Sequence, residues 1–131
     1  MSSFKKNERL SGQKEISLLM KKGNVFHRHP FRIQWLVFPN DSGYSFQMKA
    51  AFSVPRRKFK KAVKRNTIKR RMKEAYRLNK NTFIQQMKDS RHSLFVLFVF
   101  TSRNELSYHD IDNGMKEAFK ILKKNVKNAT P

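Results

Sequence analysis

Leu94 to Phe100 reads LFVLFVF, apolar at every position. A strand that faces water on one side alternates apolar and polar residues; one that is apolar throughout must be covered on both faces. The run is far shorter than the roughly 20 residues a helix needs to cross a bilayer. It therefore predicts a fully buried strand with structure packed above and below it.

The other elements are read around this strand. Ser11 is placed to cap a short helix with Ile16, Leu19 and Met20 on its apolar face and Gly23 at its end. Residues 24 to 29 form a short strand. Phe31 to Phe38 form a longer one, with Phe31, Ile33, Trp35 and Val37 on one side and Arg32 and Gln34 beginning the other. PNDSG at 39 to 43 is a turn by composition, and Phe46 to Val54 is the next strand, stopped by Pro55. A helix runs from Ala62 to Leu78 and extends towards Met87. Ser107 and Asp110 have capping-box spacing ahead of a last helix striped by Ile111, Met115, Ala118, Phe119 and Leu122. Residues 1–7 and 124–131 read as frayed tails of a single domain spanning 1–131. The order is α-β-β-β-α-β-α, and strands bracketing a helix imply a mixed sheet with helices packed on it, an α/β sandwich. Right-handedness is the default for its parallel crossover.

Charge narrows the function. The formal net charge is +21 over 131 residues, and 12 of the 23 residues from Pro55 to Arg77 are Lys or Arg. A field of this strength calls for a polyanion, either nucleic acid or an anionic membrane surface. At roughly 100° per residue, Ile68, Met72, Ala75 and Tyr76 share one arc of the helix, with Leu78 at its edge. Asn66, Lys69, Arg70, Lys73 and Arg77 occupy the other side. Lys60, Lys61, Lys64 and Arg65 crowd the helix N-terminus, where the dipole disfavours cations and the free amides favour anions. A phosphate docked there answers both. A basic run can be a merely solvated face, but the arginine content and the N-terminal crowding argue for RNA or DNA phosphate.

Several chemistries are missing. No cysteine occurs, which excludes disulfides and zinc-thiolate sites and suits a reducing, cytoplasmic setting. Asp110 and Asp112 are the only acids close together where a helix begins, and capping accounts for them better than a metal does. His27 and His29 share a strand face without a third ligand nearby, so surface or phosphate contact is the better reading. There is no P-loop, HExxH or GxSxG. The chain thus offers no catalytic constellation and no metal site of its own.

The segment FSVPRRKFKKAVKRNTIKRRMKEAYR resembles the signature of the bacterial ribonuclease P protein component. Ser53-Val54 and Arg56-Arg57 match the strand end and basic pair of that family. Ala62, Arg65-Asn66, Ile68 and Lys69-Arg70 match its Ala-x-x-Arg-Asn-Arg-x-Lys-Arg helix start. Glu8 to Leu10 and Lys21 to Gly23 extend the likeness to about residues 8–124. The resemblance implies an α+β sandwich with a four-stranded mixed sheet and a left-handed βαβ crossover, against the default hand. It also implies a ribonucleoprotein endoribonuclease that removes the 5′ leader of precursor tRNA. The chemistry is then carried mainly by the RNA subunit, which also holds most of the Mg²⁺, and the partners are ribonuclease P RNA and precursor tRNA, with no DNA or membrane partner. Carried over by motif position, Lys64, Arg65, Asn66, Lys69, Arg70 and Lys73 face the catalytic RNA. Ile16, Met20, Arg56, Arg57, Lys61 and Arg103 line a cleft for the leader.

Four positions depart from the family pattern. Thr67 stands where the motif has its second Arg, so one contact is lost or taken over by a neighbour such as Arg71. Ile16 and Met20 replace frequent Phe, and plain core packing is an equal alternative for them. Gln34 stands where the cleft can carry Tyr. A ribosome-associated RNA-binding protein and an autonomous nuclease acting through Asp110 or Asp112 remain the competing readings.

Overall fold

The structure is a computed structural model describing residues 8–40 and 45–130. Its elements follow in the order α1 (Gln13–Lys22), β1 (Asn24–Arg28), β2 (Phe31–Pro39), β3 (Gln47–Ser53), α2 (Ala62–Gln86), β4 (His92–Phe100) and α3 (Tyr108–Ala129). The strands form one mixed sheet of order β1-β2-β4-β3, antiparallel between β1, β2 and β4 and parallel between β3 and β4. Residues 1–7, expected to be loose, and most of the expected 39–43 turn fall outside the described residues.

The apolar run sits where its composition requires, in an interior strand. Leu94, Val96, Phe98 and Phe100 point into the main core beneath α2 and α3. Phe95 points the other way and packs with Leu10 and Leu19, with Leu97 against the same cluster. The sheet is thus covered by α1 on one face and by α2 and α3 on the other. Phe98 is the hub of the larger core, stacked on Phe52 at 5.6 Å and edge-on to Phe31 and Tyr76.

Helix α2 continues past Leu78 because its buried row continues: Ile68, Met72, Ala75, Tyr76 and Phe83 are all shielded. Leu78 itself is exposed, off the arc expected to bury it. Helix α3 begins at Ser107, whose hydroxyl accepts from the Asp110 amide at 3.2 Å. The segment from Lys124, expected to fray, is helical through Ala129 because fully buried Val126 extends the Ile111–Leu122 stripe by one turn.

Helix α1 departs most from expectation. Gly12, not Ser11, holds the N-cap position, with no side-chain cap. The Leu10 amide is bonded to the Ala50 carbonyl at 2.9 Å, which keeps the chain extended along β3 until Gly12. Only Leu19 of the expected apolar face is buried; Ile16 and Met20 are 37% and 53% exposed.

Candidate nucleic-acid interface

The chain between β3 and α2 is held by two apolar anchors, Val54 and Phe59, and displays cations around the second. Phe59 is buried against Phe100, with ring centroids 5.9 Å apart. Arg56, Arg57, Lys58, Lys60 and Lys61 on either side of it are exposed. Three polar ties fix this loop. The amides of Lys58 and Phe59 donate to the Pro55 carbonyl, and Lys58 Nζ donates to the Thr101 carbonyl at 2.7 Å. The Arg65 guanidinium donates to the carbonyls of Phe59 and Lys60, at 2.9 and 2.8 Å.

The parallel pairing of β3 with β4 explains which cations meet. Ser53 is in register with Val99, so both strands end together. Arg56 and Arg57 therefore emerge at the same end of the sheet as exposed Arg103, with Lys58 bridging the two segments. Sequence reading missed Lys58, whose link to Thr101 is visible only once the strands are paired.

Helix α2 opens without help from side chains. Lys61 is its N-cap and makes no capping bond, and no acid lies in the first turn. The first-turn amides lack intrahelical acceptors by geometry, and exposed Lys60, Lys61 and Lys64 surround them. Down the helix, Asn66, Lys69, Arg70, Lys73, Glu74 and Arg77 line a shallow groove of about 420 Å³. Asn66, Arg70 and Lys73 are exposed, while Lys69 is half-buried.

Three residues near this groove are otherwise engaged. Arg77 grips Glu74 through two hydrogen bonds of 3.0 and 2.6 Å. That bond holds the Glu74 carboxyl below the ordinary glutamate range, against a smaller opposing push from desolvation, and raises Arg77. Arg71, the neighbour expected to replace the motif arginine at Thr67, instead donates to Glu105 at 2.9 Å and to the Leu106 carbonyl at 2.8 Å. It secures the β4–α3 connection. Thr67 bonds back to the Val63 carbonyl at 3.0 Å.

On the opposite face of the sheet, α1 lies over Gln34, whose Nε2 donates to the Leu19 carbonyl at 3.1 Å. Partners in register share a face, so Leu97 and Ala51 also lie under α1. Two residues further along each strand, Arg32, Val99 and Ser53 form the next row, leading to Arg56 and Arg57. His27 on β1 is paired with Arg32 and is exposed. The exposed flank of α1, with Ile16 and Met20, favours a surface role for these two residues over core packing.

Several acidic residues serve the scaffold. Asp112 accepts from Asn79 Nδ2 at 2.9 Å and pairs with Lys116 at 3.1 Å. Glu8 meets buried Lys80, tying the start of the described chain to α2. Among the described residues, no three His, Asp or Glu side chains converge as metal ligands. None of the described helices is long and apolar enough to cross a membrane.

The Ribonuclease P family model matches residues 4–128. The chain belongs to this family. It is similar to the ribonuclease P protein component of Petrotoga mobilis, 37% identical over 105 residues that cover 80% of this chain and 76% of that one. The Porphyromonas gingivalis protein component is 29% identical over 122 residues, covering 92% of this chain and 87% of its own length. In fold, the chain is similar to the Staphylococcus aureus RNase P protein, with a TM-score of 0.65 at 20% identity over 88% of this chain and 95% of that one. The Thermotoga maritima RNase P protein gives 0.62 at 20% identity, covering 87% and 96%. Membership in the ribonuclease P family implies a role in tRNA processing within a ribonuclease complex. It favours this role over the ribosomal alternative.

Proposed function

We propose that this ribonuclease P protein binds the catalytic RNA with one surface and the 5′ leader of precursor tRNA with another. The first surface is the start and outer row of α2: Lys64, Asn66, Lys69, Arg70 and Lys73, with Arg65 setting the loop beside them. The second runs from Ile16 and Met20 on α1, across the Arg32–Val99–Ser53 row, to Arg56, Arg57, Lys61 and Arg103. The observation that carries this reading is the loop Pro55–Lys61, which joins the end of the sheet to the start of α2 and is exposed and basic on both sides of Phe59.

Such a protein screens the repulsion between two polyanions and adds contacts that mature tRNA lacks. Each phosphate neutralised releases condensed counterions, so binding weakens steeply with salt. Magnesium and the hydrolytic chemistry belong to the RNA subunit in this reading, and the complex acts in the cytoplasm. The ion pairs of Asp112 with Lys116 and of Glu74 with Arg77 agree with that division.

Reconstitution tests the proposal. The protein is combined with its cognate RNA at low Mg²⁺ and given a precursor tRNA. Cleavage at the 5′ end of the mature tRNA, well above that of the RNA alone, is expected. No gain over the RNA alone contradicts it, and cleavage by the protein without RNA, lost in Asp110→Ala or Asp112→Ala, restores the autonomous-nuclease reading.

A further inference from the structure

We infer that Gln34 is a positioning residue for α1, and through α1 for the leader cleft. The inference rests on the cleft proposed above. The Leu19 carbonyl accepts two donors, the Gly23 amide at 2.8 Å and Gln34 Nε2 at 3.1 Å. The last turn of α1 is thereby fastened to the middle of β2.

Gly23 makes the fastening possible. Its backbone is extended, with φ −70° and ψ 148°, so no left-handed conformation calls for glycine. Space does. A Cβ at Gly23 would fall 2.4 Å from the Leu19 carbonyl oxygen and 3.0 Å from Gln34 Cγ. Any other residue pushes the helix end away from the amide.

The amide is poorly explained by fold stability. Gln34 is 5% exposed among Leu36, Ala51, Phe95 and Leu97, on a face where Lys49 reaches out to Glu15 of α1 at 2.9 Å, and its Oε1 receives no donor among the described residues. A buried acceptor without a donor costs free energy, and an apolar side chain of similar size covers the same area without that cost. The amide retains one function that Leu or Met lacks, a directional hold on Leu19. Apolar docking of α1 is thin, since Leu19 is its only buried residue. With the Lys49–Glu15 ion pair tying the first turns of α1 to β3, the Gln34 hold fixes its last turn, and so where Met20 stands relative to the sheet. Where a Tyr in the cleft could stack on a base directly, Gln34 acts through the helix.

The test uses full-length protein with Gln34→Leu and, as a straight-chain control of similar length, Gln34→Met. Three quantities are read: thermal unfolding, hydrogen exchange of the α1 amides against those of α3, and holoenzyme affinity for precursor tRNA relative to mature tRNA. Thermal stability is expected to be unchanged or higher, and exchange in the last turn of α1 faster while α3 is unaltered. The affinity advantage conferred by the leader is expected to fall about threefold to tenfold, the worth of one hydrogen bond. Unchanged α1 exchange and an unchanged leader advantage in both folded variants overturn the inference. So does a marked loss of stability in both, which shows that the amide serves the fold. A wild-type holoenzyme with no preference for the leader-bearing substrate overturns the cleft instead, and the exchange data still decide whether Gln34 holds α1.

Discussion

Arg65 donates from its guanidinium to the Phe59 carbonyl at 2.9 Å, reaching back from the first turns of α2 to the loop that precedes it. The same nitrogen, Nη1, also donates to the Lys60 carbonyl at 2.8 Å. Arg65 therefore shapes the surface as well as charging it. Lysine keeps the charge but lacks the planar guanidinium that aims these two N–H groups in a fixed geometry. Arg65→Lys is expected to weaken binding of leader-bearing tRNA about threefold to tenfold while leaving the salt dependence unchanged. Titrations at several salt concentrations check this. A shallower salt slope with an intact leader contribution shows Arg65 to be a phosphate ligand and nothing more.

Arg70 is exposed in the α2 groove, and no ion pair or hydrogen bond is seen for its side chain among the described residues. Arg70→Ala is expected to weaken binding to the RNA subunit and reduce the slope of log affinity against log salt by about one. The leader-dependent difference between precursor and mature tRNA is expected to persist. An unchanged slope places Arg70 against bulk water in the complex.

Ile68 lies on the opposite side of the same helix and is fully buried. Ile68→Ala is expected to cost about 2–5 kcal/mol in denaturant unfolding through lost burial and the cavity left behind. Affinity per folded molecule is expected to stay near wild type. A loss of affinity without a loss of stability reverses the two faces of α2.

Glu74 is held below the ordinary glutamate range by the hydrogen bond from Arg77. A carboxyl with a lowered folded value contributes stability above its unfolded value and loses it as pH falls through the folded one. The Glu74–Arg77 pair is therefore expected to remain intact at neutral pH and to open only in acid. Titration of the Glu74 carboxyl carbon by NMR reads this directly, and Arg77→Met is expected to return the midpoint towards the ordinary value. The same midpoint in both proteins shows that Arg77 is not the cause.

Much of the fold was legible because it rests on local patterns. The uninterrupted apolar run announced β4, the spacing of Ile68, Met72 and Tyr76 gave the buried face of α2, and Ser107 with Asp110 marked the start of α3. The outer row of α2 followed from the same periodicity. What the sequence hid depends on pairing between distant segments. Leu10 bonding to Ala50 moved the start of α1 to Gly12, and that helix buries one residue where a stripe of three was read. Arg71 looked like a spare cation for Thr67 until its carboxylate and carbonyl partners, 34 and 35 residues away, were in place. Lys58 joined the site only through Thr101, and Gln34 became a helix fastening only through Leu19. Val126 was read as part of a loose tail because polar neighbours hid its place on the stripe.

The two-surface assignment is tested most directly by cross-linking from single cysteines, which the cysteine-free sequence allows without background. Met20→Cys and Lys73→Cys, each carrying a short photoreactive group, are assembled with the RNA subunit and a leader-bearing precursor tRNA. The account predicts cross-links from position 20 to the leader and from position 73 to the RNA subunit. Cross-links from position 20 to the RNA subunit alone, or from position 73 to the leader, contradict it.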